Sequence, residues 1–435
     1  MLIEFSVGNY RSFKNRVTLS MMAAKLKSKN KEIDENNLFP ITDSIRLLKS
    51  AAIYGANASG KSNLIRAFPF MCRFVLGSSK DSQATDPIGV ESFRLNTETE
   101  NQPSYFEIVF FLDGKRYRYG FEADTQRIHS EWLYYVPQKR EAKLFLREGN
   151  EFSLSSAFKE GKRIEDKTRE NALFLSVVAQ FNGAISQSIL RWFQRLGIIS
   201  GLSDMGYRNF TIKSVEDETL KDGIILFVKR MDLGISDIKV LKTSLSEANL
   251  PKEVQQRLKD LALEHGEGEP TLVTVTTSHK KYSNDGNTLV SAVSFDLDDN
   301  ESEGTKKLFY LSGPLLDTLQ SGKVLIIDEL DTRFHPLITS AIIQLFNSKT
   351  TNPNNAQLIF ATHDTNLLSN RFFRRDQIWF TEKDKYGATD LYSLAEYKIP
   401  DDAPFEKDYI AGRYGAIPFI GGLHYLDFLV GDGDA

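Results

Sequence analysis

The chain has 435 residues, 41% hydrophobic and 26% charged, with a formal net charge of −4. That length exceeds what one hydrophobic core usually serves, so two domains, or one with a large insertion, are expected. The small net charge excludes a global basic field for nucleic acid, and the single cysteine, Cys72, excludes an internal disulfide and has no metal-ligand companions. Cys72 lies in an apolar helix-like run and reads as a small core residue.

Met1–Val7 alternates as a strand and lacks the charged-then-apolar pattern of a secretory leader. No apolar segment approaches bilayer length, so a soluble cytoplasmic protein without membrane contact is expected. Residues 1–20 read as two strands about a turn at Gly8-Asn9, the second running through Tyr10 to Leu19. Residues 25–38, rich in Lys and Asn, read as an exposed loop. Ala51-Ala52-Ile53-Tyr54 then reads as a strand feeding a glycine loop, and Asn63–Phe68 follows with helical spacing.

Loop-like residues 77–90 precede the clearest hairpin signal: Tyr105–Leu112, then Asp113-Gly114, then Lys115–Phe121. With strand-like runs at Trp132–Val136 and Leu144–Leu146, residues 105–155 read as an antiparallel sheet. Asn171–Gln180 is a strand or a buried helix, which periodicity does not decide. Ser186–Leu196 reads as a helix. Residues 216–270 read as mostly helical, with Leu220–Met231 and then Ser244–His265, Pro251 sitting at the first turn of its main part. Thr271–Thr277 and Ser291–Leu297 pair as strands about Asp285-Gly286. From about residue 300 the pattern alternates: helix 303–320, strand 323–327, helix 336–347, strand 357–361, helix 364–370, strand 377–380. Such alternation implies a parallel sheet.

Three motifs carry chemistry. Gly55, Gly60, Lys61 and Ser62 form G-x-x-x-x-G-K-S between a strand and a helix. Backbone N–H groups of such a loop wrap phosphates, helped by the positive end of the helix behind it. Lys61 would reach the β- and γ-phosphates, and Ser62 would hold Mg²⁺. The second motif is Lys323-Val324-Leu325-Ile326-Ile327-Asp328-Glu329, a buried strand that delivers paired acids at its carboxyl edge. Asp328 would bind Mg²⁺ through water, and Glu329 would orient or activate the attacking water. Third, His363 at the tip of the next strand can hydrogen-bond a γ-phosphate.

Asp299–Thr305 opens a helix, with Ser302 as its cap and the free N–H groups facing a phosphate. Ser302 lies 26 residues before Asp328, whereas Ser312, in the similar-looking Leu311-Ser312-Gly313-Pro314, lies only 16 before it. Glu303 would repel a γ-phosphate unless it points away or meets a cation. The basic aromatic run Lys115-Arg116-Tyr117-Arg118-Tyr119 either touches nucleic acid or forms a solvated hairpin face.

With these motifs the chain resembles the ABC-type ATPases, in the branch containing SMC and RecF proteins. Gly55–Ser62 is similar to their Walker A loop, so Asn57, Ala58, Ser59 and Asn63 join the nucleotide contacts that the resemblance implies. Asp328-Glu329 matches Walker B, Asp331 the D-loop and His363 the switch histidine. Ser302-Glu303-Gly304 stands where L-S-G-G-Q is typical. Gln180, in V-V-A-Q-F-N, takes the place of a Q-loop metal ligand. Phe5–Phe13 looks like the N-F-x-S-F strand, which brings in Arg11 as a nucleotide contact. G-A-N-A-S-G-K-S-N, E-S-E-G-T-K-K-L-F and G-R-Y-G-A-I-P-F-I together resemble the bacterial AAA/ABC-like family that includes the RloA, AbiL-type and AriA-type phage-defence ATPases.

The resemblance implies an α/β, ABC-type P-loop ATPase head, split by an inserted helical/β arm and carrying an antiparallel β subdomain. Residues 1–200 would form the first part of the head, 201–298 the arm, and 299–435 the remainder with the tail. ATP and Mg²⁺ are the implied cofactors, with Glu329 and His363 catalytic. A homo-oligomer, dimeric or of higher even order, is implied, because the loop of one chain and Ser302, Gly304 and Asp331 of another would sandwich each ATP. The implied output is control of an effector encoded nearby, such as a TOPRIM-like or HNH nuclease, in anti-phage defence. Two alternatives stand beside it: a RecF/SMC-like DNA repair or chromosome-maintenance ATPase, which would bind nucleic acid, and a non-hydrolysing ATP-gated scaffold.

Overall fold

Asp113 and Gly114 take left-handed φ values of 48° and 75°, as a two-residue type I′ turn requires. In the computed structural model of the chain they join Ser104–Leu112 to Lys115–Ala123. The structure describes residues 1–231, 234–245, 251–264, 271–284, 286, 288–400 and 402–418. Two units are present, one of Met1–Ile198, Gly322–Leu330 and Ser340–Ala435, the other of Ile199–Ser321 and Asp331–Thr339.

The first unit holds two sheets. A seven-stranded antiparallel sheet runs in the order Glu151–Leu154, Ala142–Glu148, Ile128–Val136, Lys115–Ala123, Ser104–Leu112, Leu2–Gly8, Val17–Ser20. The sheet expected over residues 105–155 is therefore completed by the N-terminal strands. A six-stranded sheet runs Leu196–Ser200, Val324–Asp328, Gln357–Ala361, Ser50–Tyr54, Ile378–Lys383, Thr389–Ser393. The 17-residue helix Lys61–Gly77 shares one core with both. Phe68 stacks on Phe5 at 3.8 Å, Phe70 meets Phe106 at 4.8 Å and Phe74 meets Phe121 at 5.3 Å. A helix with apolar residues over most of its surface is stable only when covered on most sides, and here Leu64, Ile65, Ala67, Met71, Cys72 and Val75 are buried too. Among the described residues no helix is long and apolar enough to cross a membrane.

A buried polar knot decides the ambiguous segment at 171–180. Glu131 and Arg147 are both fully buried. The Glu131 carboxylate accepts from the Tyr119 hydroxyl at 3.0 Å and from the N–H groups of Phe174 and Leu175 at 2.6 and 3.0 Å. It thus satisfies the first donors of a helix over Phe174–Gln180. Burial pushes the Glu131 carboxyl above its ordinary value, and Arg147 pulls it back. Arg147 in turn donates to the Ala172 carbonyl at 2.7 Å.

The second unit has a three-stranded antiparallel sheet, Ile235–Ser244, Thr271–Tyr282 and Leu289–Asp296. Its helices include Arg208–Glu216, Lys221–Arg230, Lys252–Glu264 and Glu303–Ser321. Pro314 lies inside the last of these and has no N–H for the Tyr310 carbonyl four residues back. The Thr211 hydroxyl supplies the missing donor. Gly313 makes that approach fit, since a Cβ there would lie 2.4 Å from Thr211 Oγ1.

Several expectations are corrected. The second strand begins only at Val17, because Tyr10 and Phe13 close a tight turn through paired backbone bonds of 2.9 and 2.8 Å. The expected loop at 25–38 contains a short helix, Lys31–Asn36, capped by Asn30 and anchored by buried Ile33. The region read as mostly helical contains the strand Ile235–Ser244, whose partner Thr271–Tyr282 lies far along the chain. Parts of the Ser244–His265 helix and Asp285 fall outside the described residues. The helix expected at 364–370 is a single 3₁₀ turn, Thr365–Leu367. There the Asp364 side chain accepts from Asn366 N–H and competes with helix propagation.

Candidate functional site

Three parallel strands converge on one edge. Val324–Asp328 pairs with Gln357–Ala361, which pairs with Ser50–Tyr54. The register sets Ile327 beside Phe360 and Ala361 beside Ile53. Asp328-Glu329, Thr362-His363 and Gly55 therefore leave the sheet together at its carboxyl edge, where ligands of open α/β sheets bind.

The glycine loop needs its glycines. Gly55 and Gly60 have φ values of 155° and 118°, and Ala58 sits at 60°. A Cβ on Gly55 would lie 2.4 Å from the Thr381 carbonyl oxygen, and one on Gly60 would lie 2.5 Å from Thr389 Oγ1. Asn57 and Ala58 form the exposed tip, and Ser59 is buried. Lys61 opens the helix at 5% exposure. Its Nζ donates to the Gly55 carbonyl at 2.7 Å and the Ala56 carbonyl at 3.1 Å. The ammonium is thus held within the loop itself. Asn63 Nδ2 donates to Ser12 Oγ at 2.9 Å, which ties the Tyr10–Phe13 turn to the start of the helix.

Asp328 is the electrostatic centre. Its Oδ1 is buried and has no hydrogen-bond partner. Burial pushes its pKa above the ordinary value, the neighbouring Ser62 hydroxyl pulls it down, and the Glu329 charge pushes it up again. A hydroxyl beside a buried carboxylate with an unpartnered oxygen is the donor set of a hard divalent cation such as Mg²⁺. Glu329 follows with φ 55°, a left-handed conformation that costs a non-glycine residue about 1 kcal/mol or more. The Leu330 N–H bonds the Ala361 carbonyl at 3.1 Å and holds this turn against the neighbouring strand. His363 is exposed, on a turn fixed by Thr362 N–H donating to the Ile53 carbonyl at 3.1 Å.

The raised pKa of Asp328 has a sign that can be tested. A carboxyl that binds its proton more tightly folded than unfolded favours folding at low pH, and that contribution is lost as pH rises through the raised value. As pH rises through that value, Asp328 therefore weighs increasingly against the nucleotide-free fold. Asp328→Asn is expected to raise the melting temperature of the nucleotide-free protein at pH 7 and to abolish the additional stabilisation that Mg²⁺ gives with ATP. Thermal melts with and without MgCl₂ and ATP check both. A lower nucleotide-free melting temperature, or an intact Mg²⁺ effect, would contradict this assignment of Asp328.

In the second unit, Ser302 Oγ accepts from the Thr305 N–H at 3.1 Å and caps the helix Glu303–Ser321. Glu303 meets cations rather than facing outward alone: Arg333 Nη1 at 2.7 Å and Lys306 Nζ at 3.1 Å. Gly304 lies under the Arg333 carbonyl, 2.9 Å from where a Cβ would sit. Lys307 Nζ donates to the Thr332 carbonyl at 2.6 Å. The segment after Asp331 is thereby held against the start of the helix Glu303–Ser321.

One expected site residue lies elsewhere. Gln180, the expected metal ligand, ends the helix Phe174–Gln180 and lines a cavity of about 320 Å³ with Leu76, Ser79 and Lys80. Those residues end or follow the helix that Lys61 and Ser62 begin. Its 17 residues span roughly 25 Å, so Gln180 cannot share an ion with Ser62. Arg11 has φ 50° and pairs with Glu91 at 2.5 Å. Its neighbour Ser12 accepts from Asn63 at the start of the helix behind the loop. In the basic aromatic run, Arg118 is bound to Glu107 at 2.9 Å and Glu141 at 2.7 Å, while Tyr117 and Tyr119 are buried. Sequence reasoning missed Thr381 and Thr389, which contact the loop. A threonine in a strand carries no signal of such a role.

A family model described as "AAA domain, putative AbiEii toxin, Type IV TA system" matches residues 50–369. No curated protein matches the chain. Among solved structures, the chain is similar to an SMC head domain from Thermotoga maritima, at 14% identity and a TM-score of 0.38, over 90% of this chain and 98% of that one. It is also similar to an SMC head solved bound to the C-winged helix domain of ScpA, at 12% identity and a TM-score of 0.41, over 90% of this chain and 97% of that one. The matched span contains the phosphate loop, the acid pair and His363, and the chain belongs to this AAA-domain ATPase family.

Proposed function

We propose that the chain hydrolyses ATP to ADP and phosphate at the edge formed by Gly55–Ser62, Asp328-Glu329 and His363. The observation that carries this reading is the buried, unpartnered Oδ1 of Asp328 beside Ser62, on the edge that also presents Lys61. Loop N–H groups bind the phosphate oxygens. Lys61 exchanges the Gly55 and Ala56 carbonyls for the β- and γ-phosphates. Ser62 and Asp328 hold Mg²⁺, which when bound neutralises phosphate charge. Glu329 takes a proton from water as the water oxygen bonds to the γ-phosphorus. The bond from that phosphorus to the bridging oxygen breaks, and its electron pair leaves with ADP. His363 donates a hydrogen bond to the γ-phosphate. Measuring ADP formation by the purified chain tests the reading.

The site is completed by a second copy of the chain. Ser302, Gly304 and Asp331 of one copy face the ATP held by the other. The capped helix start at Ser302 supports this, and so does the pairing of Glu303 with Arg333 and Lys306, which relieves its repulsion of phosphate. Ser302→Arg and Lys61→Ala should each be inactive alone and regain activity when mixed. In a hybrid dimer one site has both partners intact, and random mixing makes up to about half the dimers hybrid. Cysteines placed near Ser59 and near Ser302 should crosslink only between chains and only with ATP. A crosslink within one chain, or one that forms equally without nucleotide, would refute the shared site.

The output of the cycle is control of an effector in anti-phage defence, such as a nuclease encoded nearby. The resemblance to phage-defence ATPases supports this, as does a family description that names a toxin–antitoxin system. Co-expression with the adjacent reading frames, scored for ATP-dependent association and phage protection, tests it.

A further inference from the structure

We infer that Thr389 is a positioning residue that sets the Gly60 N–H as a phosphate donor, with Thr381 bracing the same loop; this rests on the ATP-site reading above. Both threonines lie on the hairpin Ile378–Lys383/Thr389–Ser393, beside the loop strand. Thr381 is fully buried and Thr389 is 4% exposed. The Thr389 hydroxyl donates to the Ser59 carbonyl at 2.8 Å, and its own N–H donates to the Ser12 carbonyl at 2.7 Å. Thr381 Oγ1 donates to the Tyr54 carbonyl at 3.3 Å and lies 2.7 Å from Ser59 Oγ. Having given its one proton to Tyr54, Thr381 accepts from Ser59.

The consequence follows from peptide geometry. A trans peptide unit carries its C=O and N–H on opposite sides. With the Ser59 carbonyl anchored on Thr389, the Gly60 N–H must point away from the hairpin. The Tyr54 carbonyl on Thr381 likewise turns the Gly55 N–H away. Gly55 and Gly60 leave no room for a side chain against these threonines, so hairpin and loop fit only in this arrangement. The donors are thus oriented before nucleotide arrives, and binding does not pay to order them. Ser12 extends the brace to the helix, since it accepts from Thr389 N–H and from Asn63.

The test is ATP affinity, measured with a fluorescent ATP analogue well below the melting temperature of each variant. Thr389→Val keeps the shape and leaves the Ser59 carbonyl unpartnered. It is expected to weaken binding about tenfold, the order for one buried hydrogen bond lost from one side. Thr389→Ser restores the hydroxyl and should stay within about threefold of wild type. If the valine variant does not fold, Thr389→Ala against Thr389→Ser isolates the same hydroxyl. Affinity of Thr389→Val equal to wild type, or a serine variant as weak as the alanine one, would overturn the inference, because packing alone would then explain the residue. A wild-type chain that binds no ATP would instead sink the underlying reading, and the inference with it.

Discussion

Glu329→Gln is expected to bind ATP as wild type does and to hydrolyse it at least about a hundredfold more slowly. The amide preserves the shape and cannot accept the proton of the attacking water. The backbone should be undisturbed, since Gln at φ 55° carries the same strain as Glu, and the Leu330 N–H still reaches the Ala361 carbonyl. The ATP-bound assembly should then accumulate, visible as a larger species in size-exclusion chromatography with ATP. Steady-state phosphate release measures the loss. Turnover at the wild-type rate would move the base elsewhere, with His363, which leaves the adjacent strand at the same edge, the next candidate.

Lys61→Ala is expected to lose ATP affinity by roughly a hundredfold or more. Charge-assisted hydrogen bonds contribute about 1.5–3 kcal/mol each, and each 1.4 kcal/mol is about tenfold. The fold should survive. Lys61 Nζ donates to two carbonyls of its own loop, Gly55 and Ala56, and the helix core beneath rests on Leu64, Ile65 and Phe68. Calorimetric titration gives the affinity and a thermal melt gives the fold. A well-folded variant that binds ATP as wild type does would remove the phosphate loop from the site.

Residues whose role is written in backbone requirements were legible in the chain before folding. Gly55 and Gly60 stand where no Cβ fits, so a glycine spacing carries the loop. Asp328 ends an apolar run long enough to be a buried strand, and the parallel register then delivers it to Ser62. The Asp113-Gly114 turn was legible for the same reason, being set by local conformation. What stayed hidden depends on partners far along the chain. The Phe174–Gln180 helix is capped by Glu131, 43 residues before Phe174, and no local pattern distinguishes it from a strand. Gln180 has no backbone demand of its own, and only tertiary packing puts it at the wrong end of the Lys61–Gly77 helix. The Ile235–Ser244 strand pairs only across a long excursion, and its Asp, Lys and Ser residues mask the alternation. Thr381 and Thr389 are ordinary strand residues until the loop is set against them.

The most direct test of ATP hydrolysis at this edge is phosphate release by the purified wild-type chain, followed with and without Mg²⁺ beside Asp328→Asn. Turnover should be present in the wild type with Mg²⁺, absent without it, and absent in Asp328→Asn at any Mg²⁺ concentration, although that variant folds at least as stably. Phosphate release that does not depend on Mg²⁺, or that persists in Asp328→Asn, would contradict a hydrolytic site built on Ser62 and Asp328.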